Sequence, residues 1–122
     1  MDLHVNKFFN RFKFPVVGLF TILKKDNNFL FHLLMALIVI VLSFVFKLNL
    51  YEWLFVLIAI FIVLITEVLN TSIEYIVDMY TDDFHILAKH AKDTAALAVL
   101  LASIMAIIIG IIIFLPKLLN IF

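Results

Sequence analysis

The sequence predicts an all-α membrane protein in which one amphipathic helix at the membrane interface precedes three transmembrane helices. Hydrophobic residues make up 66% of the 122-residue chain and charged residues 15%, whereas soluble domains are about 45–50% apolar and about 25% charged. Most of the apolar residues fall into three stretches that are long enough to cross a bilayer. The length allows one domain, residues 1–122, and the net charge of zero gives no reason to expect a nucleic-acid partner.

Residues 1–28 predict a helix that lies in the membrane interface and leads into the first span. Phenylalanines are interspersed with basic residues there, a pattern typical of interfacial helices: Lys7, Phe8, Phe9, Arg11, Phe12, Lys13 and Phe14. Pro15 is expected to break or restart this helix, because proline lacks an amide hydrogen. Asp26 lies in the polar segment before the first span and is expected to act there either as an N-cap or as an acid in the first turn of the next helix.

Two antiparallel helices should follow. The first covers about residues 29–46, and a tight turn at residues 47–49 returns the chain into a second helix at about residues 50–79. At 1.5 Å per residue the second helix is about 45 Å long. It exceeds the hydrocarbon thickness of about 30 Å, so its C-terminal part should emerge into water.

The third helix is predicted at about residues 90–116. A polar connection over residues 80–91 leads into it, and Pro116 is expected to end it. Its alanines indicate close packing against another helix, within the chain or between chains.

A polar stripe marks the C-terminal part of the second helix. Its residues share one helical face, because they lie at positions i, i+3, i+4, i+7 and i+11: Glu67, Asn70, Thr71, Glu74 and Asp78. Three acids on one face repel each other, and a divalent cation among them would offset that repulsion. Glu67 follows a long apolar run, and a carboxylate in that position is expected to be functional, for example as a general base. The alternative is an interfacial salt bridge.

A second polar cluster, Lys92 and Asp93, begins the third apolar run. These residues either bind a phosphate and a metal, or only anchor the helix and match its macrodipole. His32, His85 and His90 are expected to be ordinary interface or loop residues. Seven of the nine Lys and Arg residues lie in residues 1–28 and 80–93, which predicts that this side faces the cytoplasm.

The residues of both clusters resemble the small prokaryotic diacylglycerol kinase and undecaprenol kinase family. The resemblance rests on EVLNTSIEYIVD from Glu67 to Asp78 and on HILAKHAKDTAALAVL from His85 to Leu100. It implies a homotrimeric lipid kinase in the bacterial cell membrane, with ATP and Mg²⁺ as cofactors and with active sites shared between subunits. The expected acceptor is a membrane lipid alcohol.

The resemblance also implies roles for individual residues. Glu67 would be the general base and contact the lipid together with Ala96, and Asp26 and Glu74 would bind Mg²⁺. The implied nucleotide-binding residues are Lys7, Phe14, Asp26, Asn70, Glu74, Asp78, Asp83, Phe84, His85, Lys92 and Asp93.

Some positions depart from the family pattern. Asp26 stands where a glutamate is usual, and Leu30 replaces a frequent arginine. Pro15, Val16, Val17 and Phe20 replace basic or polar residues around Gly18. These changes affect either acceptor choice or activity.

The sequence near His32 and over residues 88–93 is closer to Gram-positive members, for which undecaprenol is the typical acceptor. Phosphorylation of undecaprenol to undecaprenyl phosphate is therefore the expected reaction, with diacylglycerol as the alternative acceptor. The rival class is a non-enzymatic membrane protein, either an ion-conducting oligomer that uses the acidic stripe or a scaffold.

Overall fold

The computed structural model describes residues 3–121, with side chains from Val5 onward, and within that range the fold is entirely helical. The four helices are α1 (Leu3–Lys25), α2 (Asn27–Val45), α3 (Leu50–Tyr80) and α4 (Ile86–Ile121). Helices α2, α3 and α4 are each long and apolar enough to cross a membrane. The predicted all-α class and the three predicted spans are therefore confirmed.

Helix α1 exposes its apolar side chains. Phe8, Phe9, Phe12 and Phe14 are all more than half exposed, and from Val5 onward only Ile22, near the C-terminal end of α1, is buried. Lipid can cover such a helix when it lies at the membrane surface. The break predicted at Pro15 is wrong, because the helix runs through this residue without interruption. A proline removes one backbone hydrogen bond, and the turns on either side of it keep α1 helical.

A single residue separates α1 from α2. Asp26 has an extended backbone, with φ −121° and ψ 106°, and its side chain accepts a hydrogen bond from the Asn28 amide. The predicted N-cap is confirmed, and it starts α2 at Asn27, two residues before the predicted span.

The turn between α2 and α3 is as tight as predicted. Lys47 adopts the left-handed conformation with φ 53°. Asn49 then forms a capping box with Glu52, in which each side chain accepts a hydrogen bond from the other residue's amide, at 2.9 and 3.0 Å. The carboxylate of Glu52 also lies 3.2 Å from the Lys117 ammonium, which ties the start of α3 to the end of α4.

Helices α3 and α4 form the most extensive helix–helix interface of the chain. Small side chains on both helices, among them Ala59, Ala95 and Ala102, are buried. Small residues let two helix backbones approach closely in lipid, where burying apolar surface gives little advantage. The close packing predicted from the alanines therefore occurs within one chain.

The predicted ends of the third transmembrane helix are both wrong. The connection is shorter than residues 80–91, because α4 already begins at Ile86. The His85 Nδ1 atom accepts a hydrogen bond from the Leu87 amide, and the Lys89 ammonium pairs with the Asp93 carboxylate one turn later. At the other end α4 continues past Pro116 to Ile121. Helix is strongly favoured in a bilayer, so a proline near the end of a span does not terminate it.

Candidate active site

The acidic stripe of α3 lies where the helix leaves its apolar section. Glu67 and Thr71 are each only 4% exposed, whereas Asn70 and Glu74 are half-buried and Asp78 is exposed. The stripe therefore runs from the protein interior to the surface in the order expected from its sequence.

Glu67 is surrounded by polar groups from α2 and α3. The His32 Nε2 atom lies 3.1 Å from the Glu67 Oε1 atom. The carboxyl groups of Asp26 and Glu74 are close enough to interact electrostatically with that of Glu67. Neighbouring carboxylates repel one another unless a proton, a cation or a donor lies between them.

Asp26 joins the start of α2 to the stripe. Its Oδ1 atom accepts the capping hydrogen bond from the Asn28 amide at 2.9 Å, and its Oδ2 atom accepts a hydrogen bond from the Thr71 hydroxyl at 3.4 Å. The N-cap predicted to start a helix is thus also a member of the acidic cluster, which aligns α2 with α3 at this level.

Asn70 and Glu74 form the outer part of the cluster. The Asn70 Nδ2 atom donates a hydrogen bond to the Glu74 Oε1 atom at 3.2 Å. The Asn70 Oδ1 atom is buried and has no hydrogen-bond partner among the described residues. An unpaired buried acceptor costs free energy, so this oxygen is available to a ligand that carries a donor or a cation.

The donor atoms suit a hard divalent cation. Carboxylate and amide oxygens of Asp26, Asn70 and Glu74 are the type of ligand that Mg²⁺ prefers. Over residues 5–121, however, no three acidic or histidine side chains converge on one point as a preformed metal site. A cation would therefore need further oxygens, such as the phosphates of a nucleotide, to complete its coordination.

The outermost acid of the stripe pairs with the second predicted cluster. The Lys92 ammonium lies 2.7 Å from the Asp78 carboxylate across the connection between α3 and α4, and it also interacts electrostatically with Glu74. Asp93 instead faces Lys89 on its own helix. Lys92 thus brings a positive charge to the aqueous end of the stripe, while Asp93 does not join it within one chain.

The connection itself has a local structural role. Asp83 donates its amide hydrogen to the Thr81 hydroxyl, His85 caps α4, and Phe84 is 81% exposed. These three predicted nucleotide-binding residues lie beside the outer end of the stripe in sequence, but among the described residues they form no hydrogen bond or ion pair with its side chains.

The remaining predicted site residues, Phe14, Lys7 and Ala96, lie outside the polar cluster. Phe14 lines a groove of about 560 Å³ between α1 and α3, whose other walls include Thr71 and Tyr75. Lys7 and Ala96 are exposed on α1 and α4 and are not part of the cluster.

An apolar cavity lies beneath the cluster. It has a volume of about 450 Å³ between α2, α3 and α4, and its lining is apolar apart from His32 and Ser103. Val63, one turn before Glu67, is part of the lining. His32 therefore links the cavity to the buried carboxylate.

His32 is the member of the cluster that sequence reasoning missed. It was expected to be an ordinary interface residue, yet it contacts Glu67. No local pattern pointed to it, because its spacing of six residues from Asp26 is not one of the i+3 or i+4 spacings that place two side chains on one helical face.

Comparison with known proteins identifies related chains. The prokaryotic diacylglycerol kinase family matches residues 13–114. Undecaprenol kinase from Bacillus subtilis is 40% identical over 114 residues, which cover 93% of each chain. Diacylglycerol kinase from Synechocystis is 52% identical over 60 residues, 48% of this chain and 34% of the relative. Diacylglycerol kinase from Escherichia coli is 42% identical over 50 residues, 41% of each chain.

The ion pair between Asp78 and Lys92 should contribute little to stability. Both side chains are about half exposed, and ion pairs in water are weak. We expect Lys92→Met to leave the thermal unfolding temperature in detergent within about 2 °C of wild type. Lys89→Met, which breaks the exposed pair with Asp93, is the matched control. A clear fall in the unfolding temperature of Lys92→Met, with none in Lys89→Met, would mean that the pair holds α3 to α4.

Proposed function

The chain belongs to the prokaryotic diacylglycerol kinase family and is a membrane lipid kinase, and we propose that it transfers the γ-phosphate of ATP to the hydroxyl of undecaprenol in an Mg²⁺-dependent reaction. Membership of a kinase family implies a nucleotide phosphate donor. It also argues against the non-enzymatic alternative, an ion-conducting or scaffold protein. The observation that carries the proposal is a buried carboxylate, Glu67, at the point where an apolar cavity meets a polar cluster.

Glu67 acts as the general base in this proposal. Its carboxylate accepts the proton of the lipid hydroxyl while the hydroxyl oxygen forms a bond to the γ-phosphorus and the bond to the departing ADP breaks. The acceptor is confined to the membrane, so the base has to lie at the membrane boundary. The low exposure of Glu67 supports this role, because it excludes water, which would otherwise compete with the lipid for the phosphate.

Asp26 and Glu74 are the proposed Mg²⁺ ligands, with Asn70 beside them. Their oxygens and the unpaired Asn70 Oδ1 atom support this assignment. When bound, Mg²⁺ would offset the negative charge of the phosphates. Asp26 is shorter than the glutamate usual in the family, and its bond from Thr71 holds it towards α3.

The nucleotide is proposed to lie over the outer part of the stripe. Lys92 supplies a positive charge there, paired in the structure with Asp78 at 2.7 Å. Asp93 and the connection residues Asp83, Phe84 and His85 follow in sequence at the same end. Lys7 and Phe14 would approach from α1, and the groove that Phe14 and Thr71 share supports this direction for Phe14.

Two observations favour undecaprenol over diacylglycerol as acceptor. The undecaprenol kinase of Bacillus subtilis aligns over 93% of both chains, whereas diacylglycerol kinase of Escherichia coli aligns over 41% of each. Undecaprenol is hydrocarbon up to its hydroxyl, while diacylglycerol carries two ester groups beside it. The cavity below Glu67 offers only His32 and Ser103 as polar lining residues, which suits the isoprenoid.

A homotrimer with shared sites and a cytoplasmic active site complete the proposal. Ala96 and Asp93 lie apart from the cluster within one chain, so a role for them at the site requires a neighbouring subunit. The large exposed apolar surface of α4, where Ile107 and Ile112 are more than 60% exposed, leaves room for such contacts.

The excess of Lys and Arg in residues 1–28 and 80–93 supports the cytoplasmic orientation.

Glu67→Gln should abolish most of the phosphate transfer. A general base contributes about 100-fold to 10,000-fold, so we expect kcat to fall by at least about 100-fold in lipid micelles. Glu52→Gln is the matched control, because glutamine preserves the capping box at the other end of α3. Near-wild-type transfer by folded Glu67→Gln would rule out this residue as the base.

Asp26→Asn should increase the Mg²⁺ concentration needed for half-maximal activity. Asparagine keeps an oxygen that can cap α2 but loses the negative charge that attracts the cation. A titration of transfer rate against Mg²⁺ measures the effect, and we expect a shift of about tenfold. An unchanged titration curve would remove Asp26 from the set of ligands.

A further inference from the structure

We propose that His32 is a positioning residue for the Glu67 carboxylate, an assignment that rests on the proposed role of Glu67 as the base. The His32 Nε2 atom lies 3.1 Å from the Glu67 Oε1 atom. Nε2 carries a hydrogen in the imidazolium form and in one of the two neutral tautomers, so His32 can support Glu67 without being charged.

The surroundings of Glu67 make such a partner necessary. Its side chain is only 6% exposed, and its nearest acidic neighbours, Asp26 and Glu74, repel it. Over the described residues 5–121, no side chain other than His32 brings a nitrogen donor to this carboxylate.

The position of His32 is itself well defined. Its ring packs edge-on against Phe31, with ring centroids 5.7 Å apart and an interplanar angle of 71°. Phe29, three residues earlier on α2, is buried at 3% exposure, and this anchors the same part of the helix. His32 is thus held from α2 and contacts the base on α3.

His32 also lies at the boundary between two environments. It lines the apolar cavity below Glu67 and contacts the carboxylate above. A lipid whose hydroxyl reaches Glu67 from this cavity would pass the imidazole. By directing one carboxylate oxygen, His32 leaves the other free to accept the proton of the hydroxyl.

Three substitutions of His32 distinguish a role in positioning Glu67 from a role in packing alone. His32→Leu keeps a side chain of similar size but removes the donor. His32→Gln places an amide nitrogen where Nε2 lies, and His32→Asn places one only at the level of Nδ1. We expect kcat to fall by about 10-fold to 100-fold in His32→Leu and His32→Asn. His32→Gln should retain most of the wild-type kcat, and the KM for ATP should stay within about twofold in all three variants.

Transfer from ATP to undecaprenol in micelles gives these constants, and thermal unfolding in detergent checks that each variant is folded. His90→Leu, an exposed histidine on α4, is the control and should keep wild-type kinetics. A wild-type kcat in His32→Leu would overturn the proposal, and so would an equal loss in folded His32→Gln and His32→Leu. A change confined to the KM for the lipid would also overturn it, because it would place His32 on the acceptor. Wild-type protein that transfers no phosphate would instead overturn the proposed function itself, and with it this role.

Discussion

The structure depends on holding a carboxylate in a place where carboxylates are costly. Glu67 is 4% exposed at the end of the apolar section of α3, and burial of an unpaired charge is strongly unfavourable. Two of its polar neighbours, Asp26 and His32, come from the start of α2, and a third, Glu74, lies on α3 itself. The N-cap at Asp26 therefore does more than begin a helix: it fixes which residues of α2 meet the acid on α3. A shift of α2 by one residue would turn His32 away from Glu67.

Helix α3 is long enough to reach both the membrane interior and the aqueous phase. One unbroken helix of 31 residues passes from an apolar environment, where a lipid acceptor lies, to an aqueous one, where a nucleotide is available. The polar residues follow that gradient, from buried Glu67 through half-buried Asn70 and Glu74 to exposed Asp78. Phosphoryl transfer depends mainly on position and on offsetting charge. A rigid helix that carries the proposed base Glu67 and the proposed ligands Asn70 and Glu74 at fixed spacing would meet that requirement without a glycine-rich loop.

Much of this arrangement could be predicted from the sequence. Long apolar runs identify spans, and the spacing of Glu67, Asn70, Thr71 and Glu74 identifies one face, because both depend on local periodicity. Helix ends were less predictable: Pro15 and Pro116 lie inside helices, and for Pro116, near the end of a span, the bilayer favours helix more strongly than one proline opposes it. The contact between His32 and Glu67 joins residues far apart in the chain, and single-residue patterns carry no information about such pairs. Lys7 and Ala96 lie apart from the cluster, and any role for them depends on contacts that one chain does not contain.

Catalysis by the Glu67 cluster is tested most directly by the transfer of radiolabelled phosphate to lipids in micelles, from ATP labelled at the γ-position. Undecaprenol and diacylglycerol would be compared side by side, with and without Mg²⁺. We expect labelled undecaprenyl phosphate to form faster than labelled phosphatidic acid, and only when Mg²⁺ is present. Faster labelling of diacylglycerol would contradict the acceptor assignment. Absence of label in both lipids, with folded protein, would contradict the central claim that the Glu67 cluster catalyses phosphate transfer to a lipid.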